Sequence, residues 1–195
     1  MTALLKDDYY ISPEQYLEAE RHREVKHEYV AGKIYAMAGT SAAHDRIANN
    51  IIANFRNQLR GKRCEVFSSN LRVRIRQPGR AEFYYYPDAL VDCSRIPNAA
   101  IYAEAPTVIF EVLSADTERV DQSEKLANYR TLPSLRVYVI VSQTEPAVTV
   151  YRLAEAEWRM EFYGSLDAIV ELPEIEGRLP LAEIYERVIG ESPTA

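Results

Sequence analysis

Tyr86-Pro87-Asp88-Ala89-Leu90-Val91, followed further on by Thr107-Val108-Ile109-Phe110-Glu111-Val112-Leu113-Ser114, is the stretch that decides how this chain is read. Both segments have the near-continuous apolar run of a strand buried on both faces. Each nevertheless carries one carboxylate. An unpaired carboxylate in apolar surroundings costs several kcal/mol or gives up its charge. If the two strands are neighbours, Asp88 and Glu111 converge at one edge of a sheet, and a shared divalent cation offsets their repulsion. Hard carboxylate oxygens favour Mg2+ or Mn2+ over zinc, and the chain offers no histidine–cysteine cluster as an alternative. A cation held this way suits phosphoryl transfer. For either acid alone, a strand-end position or a salt bridge is an equally good reading.

The neighbouring pattern supplies the rest of an α/β sandwich around a mixed sheet. Ser12-Pro13-Glu14 reads as a capped helix start, with the helix running to about Arg21. Val30-Ala31-Gly32-Lys33 is a turn into a short strand, Ile34 to Met37. Thr40 or Ser41 caps a long amphipathic helix carrying Ile47, Ile51, Ile52, Phe55 and Leu59, ended by Gly61. Leu71, Val73 and Ile75 then alternate with Arg72, Arg74 and Arg76, a half-buried strand with an arginine face. Gln77-Pro78-Gly79-Arg80 is a turn. Glu82 to Cys93 reads as one strand and Thr107 to Leu113 as the next. A helix spans about Arg119 to Leu132, stopped by Pro133, and Val137 to Val141 is an apolar strand. Short strands over 147–153, 158–163 and 168–172 and a closing helix over 181–189 form a C-terminal antiparallel meander. The expectation is a single domain, with its core over about 12–141 and the meander and helix over 142–190.

A chain of 195 residues, 47% hydrophobic and 27% charged, has the balance of an ordinary globular domain. Its net charge of −6 argues on its face against a nucleic-acid binder. The charge is uneven, however. From Arg56 to Arg80 eight basic residues face one acid, Glu65, giving +7 locally and −13 elsewhere. Such polarity can present one basic face to a phosphate backbone; a solvated basic hairpin is the plainer alternative. Cys64 and Cys93 read as buried thiols in a reducing compartment. No secretory leader is evident, and no apolar run approaches the ~18 residues of a membrane span, so a cytoplasmic location is expected.

Pro87-Asp88, 22 intervening residues, and Glu111-Val112-Leu113-Ser114 resemble the PD-(D/E)xK nuclease superfamily. More narrowly, the chain resembles the Uma-type restriction-endonuclease-like proteins of bacteria from about Ser12 to Val141. The resemblance also covers Glu28-Tyr29-Val30-Ala31-Gly32-Lys33-Ile34, the helix start at His44, and Asp121, Lys125 and Tyr129. It implies a restriction-endonuclease-like α/β fold, a mixed sheet flanked by helices. It further implies a Mg2+- or Mn2+-dependent endonuclease acting on DNA, with Asp88, Glu111 and Glu28 as metal ligands. In one respect the chain departs from the pattern. The superfamily places a lysine two residues after the glutamate, where this chain has Leu113. In some relatives that lysine sits on the following helix, and Lys125 is the candidate here. Asp121, Lys125 and Tyr129 share one helical face; an Asp121–Lys125 surface pair is the plainer reading.

Beyond this set, His44 is a candidate phosphate contact or a packed capping residue. Arg72, Arg74 and Arg76 are candidate phosphate contacts, because a guanidinium fork matches phosphate oxygens. Tyr84, Tyr85 and Tyr86 suit either base stacking or sheet packing. The reading is therefore a DNA endonuclease, expected as a homodimer that pairs two sites, with the meander after Val141 as a candidate interface. The alternatives are a catalytically degenerate nucleic-acid-binding or toxin-type module of the same fold, favoured by Leu113, and a two-carboxylate glycosidase. With a single tryptophan, Trp158, the chain lacks the aromatic cleft of the latter.

Overall fold

Residues 10–76, 81–113 and 121–189 are described by the computed structural model. The Gln77–Arg80 turn, Ser114, the expected helix start at Arg119 and the side chain of Asp121 lie outside them. Ser12 caps α1 (Pro13–Glu20): its hydroxyl accepts from Gln15 N at 3.2 Å and Gln15 Oε1 accepts from Ser12 N at 2.8 Å. Two orphan amides are thereby satisfied reciprocally. A hairpin of β1 (His27–Val30) and β2 (Lys33–Ala36) turns through Ala31 and Gly32, at φ of 51° and 95°. Positive φ at both central residues matches the right-handed twist of the flanking strands. Ser41 caps α2 (Ala42–Gln58), whose buried stripe is His44, Ile47, Ile51 and Phe55.

The described strands then assort into two large sheets and one separate two-stranded hairpin. β3 (Glu65–Ser68), β4 (Arg72–Arg76) and β5 (Glu82–Tyr85) precede β6 (Ala89–Asp92), β7 (Tyr102–Ala103) and β8 (Pro106–Leu113). A π-helical turn, Asp121–Lys125, runs directly into α3 (Leu126–Tyr129). β9 (Val137–Ser142), β10 (Val148–Ala154) and β11 (Glu157–Tyr163) follow, and then a hairpin of β12 (Ile169–Leu172) and β13 (Gly177–Pro180) and the short α4 (Leu181–Ile184). The first sheet has the order β2-β1-β5-β4-β7 and the second β11-β10-β9-β8-β6-β3. In the second, β8 and β9 are parallel while β6 and β8 are antiparallel, so the sheet is mixed.

Alternation of side chains across each strand fixes the layers. Val73, Ile75 and Tyr85 of the first sheet face Leu90, Ile109, Tyr138 and Ile140 of the second, with Leu126 and Tyr129 of α3 in the same core. The other face of the second sheet, through Val108, Phe110, Val139 and Val150, packs on α2, the C-terminal hairpin and α4. On the outer face of the first sheet, Tyr16 of α1 stacks on Tyr29 at 5.1 Å and meets Tyr84 at 5.3 Å.

Several expectations are corrected. The segment from Glu82 to Cys93 is two strands in different sheets, because Pro87 has no amide to donate and ends the first run. The expected antiparallel meander is present, and its strands β10 and β11 continue the main sheet from β9. From Asp121 onward the expected helix over 119–132 is a π turn and one α turn, and the closing helix ends at Ile184. Cys64 and Cys93 are joined as a disulfide, not buried thiols. The register Glu65↔Asp92 extends by one residue to set the two cysteines opposite each other, and cross-strand neighbours lie within disulfide reach.

The ring of Phe55 on α2 lies 5.2 Å from that of Phe110 on β8, both fully buried. Phe55→Ala removes this contact at the centre of the larger core and is expected to lower stability by about 3–5 kcal/mol, measured by urea unfolding.

Candidate active site

The apolar strands hold their charges at one end of the inter-sheet core. On β1, alternation sends Tyr29 outward to α1, and Glu28 therefore shares the inner face with Val30. On β8, Glu111 shares its face with Ile109 and Leu113 and is 4% exposed. The last β6–β8 pair is Ala89↔Phe110, and continuing that register sets Asp88 opposite Glu111. The Asp88 carboxylate accepts the amide of Val112 at 2.7 Å. This bond closes the ladder that Pro87 interrupts and fixes the aspartate beside the glutamate.

Lys125, the last residue of the π turn, reaches into the same place. Its Nζ lies 2.9 Å from Glu28 Oε1 and 3.6 Å from Glu111 Oε1, with the side chain 10% exposed. The ammonium also sits 5.6 Å from the centre of the Tyr85 ring, whose hydroxyl accepts from Asn128 Nδ2 at 2.7 Å. Glu28 Oε1 further accepts the amide of Tyr86 at 3.2 Å. Tyr129, one helical turn beyond Lys125, donates its hydroxyl to Glu111 Oε1 at 3.4 Å. Burial, and after it the charge of Glu111, push this phenol well above its ordinary value, so it remains a donor. Leu113, in the position where the pattern has its lysine, is buried in the inter-sheet core.

His44, in the first turn of α2, puts Nε2 3.2 Å from Asp88 Oδ2. Burial, the largest single influence, pulls the imidazole down. The hydrogen bond and charge of Asp88, with a backbone bond to Val112, outweigh it and raise the group above its ordinary value. Glu28, Glu111 and Lys125 thus form one charged group, and Asp88 with His44 a second, tied to it through the Val112 amide next to Glu111.

The three arginines stand elsewhere. Arg72 and Arg74 lie on the α1 side of the first sheet, the opposite face from Glu28. Arg72 rests on the rings of Tyr16 and Tyr86 at 5.7 and 5.4 Å. Arg74 pairs with Glu82 at 2.8 Å and donates to the Tyr102 hydroxyl at 3.0 Å. Arg76 is bound to the same Glu82 at 3.1 Å. Tyr84 and Tyr85 are buried in sheet packing. Sequence reasoning missed Asn128, which steadies Tyr85 beneath the lysine; its signal was the helical spacing from Lys125. It also missed Glu20, whose Oε1 accepts from His27 N at 2.8 Å and Tyr86 OH at 3.3 Å. Nothing local in α1 marks that role.

Among the described residues, no three His, Cys, Asp or Glu groups converge closely enough to hold a metal ion by themselves. The adjacent pair Asp88 and Glu111 still fits Mg2+, which is usually bound by one or two carboxylates and completes its shell with water and substrate phosphate. Glu28 is engaged instead with Lys125 and the Tyr86 amide.

A mixed sheet of this order, with two acids on adjacent strands and a lysine delivered from the next helix, is a restriction-endonuclease-like fold. In agreement, a crystal structure described as a "putative nuclease" from Anabaena variabilis superposes with a TM-score of 0.76 at 22% identity. The match covers 92% of this chain and 99% of that one. Residues 13–182 match the model of the Uma2 family, described as "putative restriction endonuclease", and the chain belongs to that family. Two uncharacterized proteins of Synechocystis are similar. One is 34% identical over 82% of this chain and 83% of its own length. The other is 30% identical over 74% and 82%. No helix among the described residues is long and apolar enough to cross a membrane.

Glu28 and Lys125 are both largely buried, so removing one leaves the charge of the other less well compensated. A double-mutant cycle of Glu28→Gln and Lys125→Met is expected to give a coupling on the order of 1–3 kcal/mol. Thermal or urea unfolding of the four proteins measures it; independent side chains would leave the cycle nearly additive.

Proposed function

We propose that this protein is a divalent-metal-dependent endonuclease that hydrolyses phosphodiester bonds in DNA. The observation that carries the reading is the position of the Lys125 ammonium, 2.9 Å from Glu28 and 3.6 Å from Glu111. It supplies from a helix the cation that Leu113 does not supply from the strand. Asp88 and Glu111 would hold Mg2+ or Mn2+. When bound, the cation offsets the growing negative charge on the phosphoryl oxygens and lowers the pKa of a coordinated water.

The remaining roles belong to the chain itself. Lys125 Nζ can donate to a phosphate oxygen or orient an attacking water, adding positive charge where the transition state gains negative charge. Glu28 acts as its positioning residue, since it holds the ammonium against the Tyr85 ring. Tyr129 keeps one oxygen of Glu111 oriented by donating to it. His44 and the Val112 amide do the same for Asp88. The burial of Arg72 against the Tyr16 and Tyr86 rings and the pairing of Arg74 with Glu82 favour other basic groups for phosphate contact.

Purified protein with supercoiled plasmid and Mg2+ is expected to nick and linearise it, and chelator to stop it. Asp88→Ala and Glu111→Ala are expected to abolish cleavage. Lys125→Ala is expected to slow it by roughly 10²–10³-fold, the effect of losing one preorganised donor. Metal-dependent cleavage that survives Asp88→Ala and Glu111→Ala would overturn the assignment. A wild-type protein that binds DNA without cutting it would favour the degenerate module of the same fold.

A further inference from the structure

The two large sheets end in four edge strands of very unequal length. β2 and β3 have four residues each and β7 has two, whereas β11 has seven. A long edge presents a row of backbone donors and acceptors, and monomeric proteins blunt such edges with proline, short length or charge on both faces. β11 does none of these. Its sequence, Glu157-Trp-Arg-Met-Glu-Phe-Tyr163, sends Trp158, Met160 and Phe162 to one face and Glu157, Arg159, Glu161 and Tyr163 to the other. Trp158 lies against Arg130, 5.1 Å from its guanidinium. Met160 and Phe162 stand open, 68% and 67% exposed.

We propose that β11 pairs antiparallel with β11 of a second copy of this chain, about a twofold axis through Met160, joining the two six-stranded sheets into one. The charge pattern selects both the partner and the register. Opposed residues in an antiparallel pair must turn their polar groups the same way, so the registers open to self-pairing step by two residues. With Met160 on the axis, Arg159 faces Glu161 of the partner subunit and Trp158 faces Phe162 of the partner subunit. Sliding to the next register in one direction opposes Arg159 to itself; sliding in the other opposes Glu161 to itself. Like charges directly across a ladder are destabilising. Of these three registers, the Met160-centred one opposes Arg159 to Glu161 and Glu157 to Tyr163, sets no like charges across the ladder, and brings the apolar side chains of both copies into one strip. Arg159 is in an exposed ion pair with Glu155 at 3.8 Å, and Glu161, which accepts from Arg152 at 2.7 Å and Tyr163 at 2.8 Å, would share its carboxylate with the partner's arginine.

The proposal does not depend on the nuclease reading, and sedimentation of the intact chain tests it. The wild-type protein is expected as a dimer at micromolar concentrations. Met160→Lys, which sets two ammonium groups together on the axis, is expected to weaken association on the order of a hundredfold. Its far-ultraviolet circular dichroism should be unchanged, because the residue is exposed in the single chain. Should that variant misfold, the cross-link remains. Residues opposed across a twofold axis have Cα atoms about 4.5–5.5 Å apart, within disulfide range. The chain's own cysteines are already joined to each other. Met160→Cys is therefore expected to oxidise to a covalent dimer, and Arg159→Cys to remain uncrosslinked. A monomeric wild-type protein, or a dimer unaffected by Met160→Lys and not trapped by Met160→Cys, would overturn the proposal.

Discussion

The arrangement at the end of the inter-sheet core depends on one buried cation. Glu28 and Glu111 come from different sheets, and each is lodged where the surrounding side chains are apolar or aromatic. Two carboxylates in such a place would repel each other and lose most of their hydration. The ammonium of Lys125 lies between them and ties the first sheet, the second sheet and the helical segment before α3 into one electrostatic unit. Breaking such a unit leaves a buried charge less well compensated, which ties the spacing of the two sheets to it.

That spacing is in turn set by Pro87. The chain leaves the first sheet at Tyr85 and joins the second at Ala89, so the crossing takes only the residues Tyr86, Pro87 and Asp88. The Tyr86 amide, at one end of this crossing, bonds Glu28; the Asp88 carboxylate, at the other, bonds the Val112 amide. The backbone groups that proline frees from the ladder are thus satisfied by the acids of the site, or the reverse. Fold and site share the same hydrogen bonds here, and neither could be altered alone.

Much of this was legible in the residues. Helix caps at Ser12 and Ser41, the Ala31-Gly32 turn and the apolar strands are local signals, and local signals survive folding. Asp88 and Glu111 stood out because charge is rare in such runs. What the sequence concealed was long-range. One strand from Glu82 to Cys93 fits the aromatic and aliphatic run better than two, and only the separate partners of β5 and β6 reveal the break. The arginines of β4 read as a polar face because alternation reports which side a residue takes, not what covers that side; α1 covers it. Cys64 and Cys93 are adjacent only through the register of β3 against β6, which 29 residues of separation hide. Asn128 and Glu20 act through partners distant in the chain.

Leu113 has a consequence for how proteins of this architecture can vary. A lysine two places after a glutamate on one strand is bound to it by the pleat, so an insertion between them turns it to the wrong side. A lysine on the following helix has only to arrive within reach, and the linking segment absorbs gain or loss of length. In the proposed mechanism the lysine's role is thereby uncoupled from a fixed interval along the chain. Surveys that look for residues at constant separation will pass over such chains, while superposition of side-chain termini will find them.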